Sequence, residues 1–105
     1  MRFIEEVNFT KAIQRFSDSD YALFQQELAA YPEQGDFIRG TGGFRKARMG
    51  FLSGGAHVIY LHVPQQETIY LVIIYGKSQK RDLSHAEENI LRKIADEIRN
   101  SRGTR

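Results

Sequence analysis

Ala56-His57-Val58-Ile59-Tyr60-Leu61-His62-Val63, then Pro64-Gln65-Gln66-Glu67, then Thr68-Ile69-Tyr70-Leu71-Val72-Ile73-Ile74-Tyr75 is the stretch that decides the fold. Two runs rich in β-branched and aromatic residues, separated by a short polar turn, read as an antiparallel strand pair. The second run is almost continuously apolar, which predicts a central strand covered on both faces. Just upstream, Phe44-Arg45-Lys46-Ala47-Arg48 alternates. As a strand it sets Phe44, Lys46 and Arg48 on one face and Arg45, Ala47 and Met49 on the other. The three runs form a meander.

Towards the N-terminus the period changes. Phe9, Ala12, Ile13 and Phe16 fall at helical spacing with Asn8 as the expected N-cap. Ser17-Asp18-Ser19-Asp20 breaks this helix and caps the next, whose stripe is Tyr21, Phe24, Leu28 and Tyr31. Pro32 and Gly35 end the hairpin. Residues 2–6 are a short strand candidate. Towards the C-terminus, Ser84-His85-Ala86-Glu87 is a capping box opening a helix with Ile90, Leu91, Ile94 and Ile98 as its buried stripe. Residues 100–105 lack apolar side chains and are expected to fray. The expected fold class is α+β. A small, mainly antiparallel sheet carries an N-terminal helical hairpin and a C-terminal helix, in one domain over residues 1–105.

Composition excludes several functions. The chain has no cysteine, hence no disulfide framework and no thiolate chemistry. Its opening, Met1-Arg2-Phe3-Ile4-Glu5-Glu6, lacks the apolar core and cleavage site of a signal peptide. The longest apolar run, residues 69–75, is far short of the ~20 residues that span a bilayer. These features lead us to expect a cytoplasmic protein. The net charge of +2 is too small to mark a nucleic-acid binder by itself. Its distribution is more telling: no acid lies between Asp36 and Glu67, while Arg39, Arg45, Lys46 and Arg48 are basic. Lys77-Ser78-Gln79-Lys80-Arg81 adds a second basic cluster at the end of the apolar strand. Such a segment is expected to hold a local anion site, with phosphate the first candidate.

Lys46 and Arg48, two apart on a strand, project together as a paired cationic clamp. Tyr60 and Tyr75 lie on neighbouring strands and offer phenolic donors or a stacking ring. His57 and His62, five residues apart on one strand, point to opposite faces and cannot share a metal ion. No metal or other cofactor is expected. His57, following the glycine pair, has the intrinsic pKa for acid–base work. Gly40-Thr41-Gly42-Gly43 has no Gly-Lys-Ser/Thr ending and is not a P-loop; it allows a tight turn before the strand.

Asp36-Phe37-Ile38-Arg39-Gly40-Thr41-Gly42-Gly43-Phe44-Arg45-Lys46-Ala47-Arg48, followed by Ser53-Gly54-Gly55-Ala56-His57-Val58-Ile59-Tyr60, Ile73-Ile74-Tyr75-Gly76-Lys77 and Asp82-Leu83-Ser84, resembles the RelE superfamily of toxins, in its HigB-like branch. The order of these blocks spans nearly the whole chain. The resemblance implies the toxin of a type II toxin–antitoxin pair: a metal-independent endonuclease that cuts messenger RNA in the ribosomal A site. It is expected to be neutralised by a cognate antitoxin of the helix-turn-helix type, and so to meet DNA only through that antitoxin. Carried over by position, Lys46 and Arg48 would bind and polarise the scissile phosphate, with His57, Tyr75 and Lys77 completing the catalytic set. Arg45, Tyr60, Lys80 and Arg81 would hold flanking RNA. Two positions depart from the pattern. His57 stands where arginine is common, and Met49-Gly50-Phe51-Leu52-Ser53 replaces a longer basic loop. These departures define an alternative, a catalytically weakened member that binds antitoxin or RNA. A plain DNA-binding regulator is disfavoured, because no helix is basic along one face.

Overall fold

The computed structural model describes residues 1–50, 55–79 and 82–103. Its elements in chain order are β1 (Arg2–Glu5), α1 (Val7–Ile13), α2 (Asp18–Ala30), β2 (Asp36–Phe37), β3 (Arg45–Met49), β4 (Ala56–Val63), β5 (Thr68–Gly76) and α3 (His85–Gly103). The strands form one sheet in the order β1-β5-β4-β3-β2. All neighbours are antiparallel except β1 and β5, which run parallel, Arg2 opposite Thr68. The fold class is therefore α+β with a mixed five-stranded sheet. The central strand is β4, not the more apolar β5. The N-terminal strand adds itself outside β5, and the two-residue β2 closes the far side.

Each face of the sheet has its own core. Ala47, Met49, Val58, Tyr60, Ile69, Leu71 and Ile74 pack against Phe9 and Ile13 of α1 and Phe24 and Leu28 of α2. Phe44, Ile59, Leu61, Val63 and Tyr75 pack against Leu91 and Ala95 of α3. Strand alternation explains the division, with one break. Ile59 pairs with Ile73 but Tyr60 pairs with Leu71, so Val72 is an extra residue, a bulge. Val72 and Ile73 consequently both serve the α3 side. That bulge, together with burial on two faces, is why residues 69–75 read as continuously apolar.

The helix ends show both agreement and difference with the sequence. Glu6 caps α1, its carboxylate accepting from the Asn8 N–H at 2.8 Å, so the cap lies two residues before the expected Asn8. Ser17 caps α2 by accepting from the Asp20 N–H at 3.2 Å. The capping box of α3 is complete: the Ser84 N–H donates to Glu87 at 2.9 Å and the Glu87 N–H donates to the Ser84 hydroxyl at 3.1 Å. On α3, Ala95 is buried and Ile90 is 57% exposed, so the buried stripe runs through Leu91 and Ala95 rather than Ile90. The helix continues through Asn100 to Gly103. Among the described residues no helix is long and apolar enough to cross a membrane.

Candidate functional site

The glycine-rich block is a seat for α3 rather than a cradle for an anion. Gly42 has φ of +77°, and a Cβ there would stand 3.2 Å from the Ala95 Cβ and 3.4 Å from the Arg92 Cγ. Arg99, further along the helix, donates to the Gly42 carbonyl. Thr41 is fully buried; its hydroxyl donates to the Ile38 carbonyl at 2.7 Å and accepts from the Phe44 N–H at 3.2 Å. The loop's backbone is thus committed to turning the chain under a helix. The acid-poor stretch yields its anion candidates one strand later.

On β3, Lys46 and Arg48 share the α3-side face with Phe44, as alternation requires. Phe44 is buried beneath α3, Lys46 is half-buried and Arg48 is exposed. Opposite Arg48 stands His57, and opposite His57 stands Tyr75, so the three form one row across β3, β4 and β5. The His57 and Tyr75 rings are 5.4 Å apart between centroids, and Tyr75 is buried. The structure therefore brings four of the five expected catalytic residues onto one face. Lys77 begins a 3₁₀ turn after β5. Lys80, Arg81 and the uncharged loop residues 51–54 lie outside the described residues.

Beside β3 lies a cleft of about 520 Å³, lined by Glu27, Tyr31, Gln34, Asp36, Lys46 and Arg48 among others. It forms because β2 is so short. Asp36 pairs with Lys46 and Phe37 with Arg45, and beyond them the outer edge of β3 carries no further strand among the described residues. The linear gap between Asp36 and Glu67 does not survive folding as an acid-free surface. Asp36 stands directly across from Lys46, and α2 delivers Glu27 to the same cleft. Two cations and two carboxylates border it, Glu27 from the α2 side of the sheet and Lys46 and Arg48 from a strand whose alternation turns their side chains to the α3 side. Such a set can hold a phosphate and also offers a proton acceptor next to it. His57 and Tyr75 are not among the residues that line this cleft.

Two residues expected at RNA make hydrogen bonds within the scaffold. Tyr60 is fully buried; its hydroxyl donates to the Pro32 carbonyl at 2.8 Å and accepts from the Gly35 N–H at 3.0 Å. Burial raises its pKa above the usual phenol value, and no face of its ring is open to a base. Arg45 donates to the carbonyls of Gly35 at 2.7 Å and Glu33 at 3.0 Å while its guanidinium lies 3.8 Å from the centre of the Phe37 ring. Gly35 itself presses on the sheet: a Cβ there would be 2.9 Å from the Lys46 carbonyl. Residues 32–35 are thereby pinned to β3 and β4. His62 lies on the opposite face from His57, as expected, 3.9 Å from Glu33. Burial lowers its pKa, outweighing the pull of Glu33 in the other direction, so near neutrality it is mainly uncharged. Among the described residues no group of three or more His, Asp or Glu is arranged to hold a metal ion.

The residue that sequence reading missed is Tyr31. Helical spacing assigns it to the buried stripe of α2, yet it is 72% exposed and lines the cleft. It is the C-cap, with φ of −136° and ψ of 76°, so the chain has already left helical geometry and the ring no longer follows the stripe. Pro32, which forces the preceding residue out of the helical region, was the available signal.

Comparison with known proteins bears on the fold. No family model matches the sequence. The isolated RelE toxin of E. coli, in its P21 crystal form, superposes with a TM-score of 0.56 over 89% of this chain and 97% of that one, at 13% identity. The chain has a RelE-like fold. At that identity the likeness concerns architecture, and the chemistry has to be argued from the residues of the cleft.

Proposed function

We propose that this chain is the toxin of a type II toxin–antitoxin pair, of the HigB-like branch, and that it cleaves messenger RNA in the ribosomal A site. The observation that carries the reading is the pair Lys46 and Arg48, on one face of β3 and lining one open cleft, within a RelE-like fold. Cleavage without a metal requires removal of the 2′-OH proton, stabilisation of a crowded, doubly charged phosphorane and protonation of the departing 5′ oxygen. Lys46 and Arg48 supply the second need, in electrostatic terms the largest. Asp36, directly across from Lys46, is the carboxylate acceptor for the 2′-OH proton. His57, next to Arg48 in the cross-strand row, is suited to return a proton to the leaving oxygen. Tyr75 continues the cross-strand row on β5, Lys77 follows it in sequence, and Lys80 and Arg81 hold flanking phosphates. The protein acts in the cytoplasm, held inactive by a helix-turn-helix antitoxin.

The test is inducible expression in a bacterial cell with primer extension on an abundant message. Growth arrest with new cuts inside translated regions is expected. Lys46→Ala and Arg48→Ala, each soluble, should restore growth and lower cleavage by at least ~100-fold, in line with loss of one transition-state donor. Wild-type toxicity in both variants would end the proposal. Two features favour a second reading: carboxylates border the cleft beside the cations, and His57 stands where the family this chain resembles commonly has arginine. A non-toxic wild type that His57→Arg converts into a toxic protein would establish a binding domain that has lost efficient cleavage.

A further inference from the structure

The ring of Tyr31 leaves the buried stripe where α2 ends and stands exposed. Large aromatic side chains usually bury most of their surface, and this one lies on a helix whose other ring-bearing stripe positions, Tyr21 and Phe24, pack inward. Its place is nevertheless fixed. The Tyr31 N–H donates to the Glu27 carbonyl at 2.8 Å, and its own carbonyl accepts from the Gln34 N–H at 3.1 Å. The next residues are held by Tyr60 and Arg45, through the carbonyls of Pro32, Glu33 and Gly35. A flat, exposed ring thus stands on an immobilised turn, at the wall of the cleft that Lys46 and Arg48 also line. A second hollow, of about 490 Å³, opens beside the same residue. Tyr31 therefore borders open space in two hollows.

We infer that Tyr31 is a nucleobase-stacking residue, receiving a base next to the phosphate that Lys46 and Arg48 hold. The inference rests on the RNA-cleaving reading of this cleft and adds a binding subsite to it. The chemistry that selects RNA over a protein segment is the combination of a planar π-face with paired cations, which matches the alternation of base and phosphate along a single strand. Stacking is indifferent to the phenolic hydroxyl, so the ring alone carries the interaction. The turn holds the backbone that carries the ring, which spares the entropy of ordering a loop on binding.

The experiment uses the full chain on 70S ribosomes programmed with a short messenger, under single-turnover conditions. Tyr31→Phe should cleave within about twofold of wild type, and Tyr31→Ala about 5- to 100-fold more slowly, the range that one stacked base commands. Three messengers, each with one abasic nucleotide in the A-site codon, add the decisive comparison. One of them should slow wild type and Tyr31→Phe but have no further effect on Tyr31→Ala. Lys46→Ala serves as the control for the cations and should be defective on every messenger. Wild-type rates for Tyr31→Ala beside an inactive Lys46→Ala would overturn the stacking role and leave the nuclease intact. An equal loss in Tyr31→Phe and Tyr31→Ala would overturn it too, by making the hydroxyl the working group. If wild type leaves every messenger uncut, the nuclease reading fails and the stacking site falls with it.

Discussion

Tyr60 shows how a residue that looks like a ligand contact becomes part of the frame. Its hydroxyl satisfies one carbonyl and one N–H of the turn after α2. Tyr60→Phe keeps the buried ring and removes both bonds, leaving two backbone groups to find other partners. Unfolding free energy should fall by about 1–3 kcal/mol, read from urea denaturation. An unchanged midpoint would mean that the turn is held by Arg45 alone. Sequence alone could place Tyr60 on a strand but not say which face was dry, because tyrosine suits both. Lys46 and Arg48 were legible for the opposite reason, since two charges two residues apart on a strand have only one face to share. Tyr31 was illegible as an exposed ring because its spacing is helical up to the residue where the helix ends.

At the scale of elements, the glycine block and α3 are two halves of one joint. Gly42 combines a left-handed backbone with close approach of Ala95, so Gly42→Ala adds conformational strain and displaces the helix at once. A loss of about 2–3 kcal/mol is expected, of which ~1 kcal/mol belongs to the positive φ alone. Chemical denaturation gives the total. Ala95→Gly in the same background should recover part of it by vacating the contact; no recovery would assign the whole loss to backbone strain. The helices and the three long strands followed from periodicity, and the capping box of α3 from four residues. β2 escaped notice because two residues define no period, yet its shortness is what opens the cleft. The pairing of β1 with β5 was equally hidden: residues 2–6 contain too few apolar positions to register against anything, and only the assembled sheet shows which edge was vacant.

For the whole molecule, stability should be bounded on both sides of neutrality by groups buried in one form. Burial holds the His62 pKa below its ordinary 6.5, with Glu33 opposing and Arg45 reinforcing the shift. The unfolded chain therefore binds this proton more readily, and stability is lost as pH falls below about 6.5. On the alkaline side, Tyr21 is raised well above its ordinary 10.0 by burial and by donating to Glu5 at 2.6 Å, and Tyr60 is raised by burial. Their stabilisation is complete below about pH 10 and is lost as pH rises towards their folded pKa values. Urea midpoints measured from pH 5 to 11 should show a plateau with two falling limbs. His62→Gln should flatten the acid limb between pH 5 and 7, and Tyr21→Phe the alkaline one; limbs unchanged in these variants would assign them to other groups.

The parallel edge also sets an order of assembly. Arg2 and Thr68 are linked by a side-chain hydrogen bond across 66 positions of sequence, whereas β4 and β5 are joined by a tight turn. Closing the long loop is entropically the costlier step, so the hairpin comes first and the amino-terminal strand joins a sheet that already exists. During synthesis β1 emerges before β5 and waits for it. Since α1 packs on β5, the helices behind it wait as well. A chain interrupted before Thr68 has neither the strand that receives its N-terminus nor the floor on which its first helix rests.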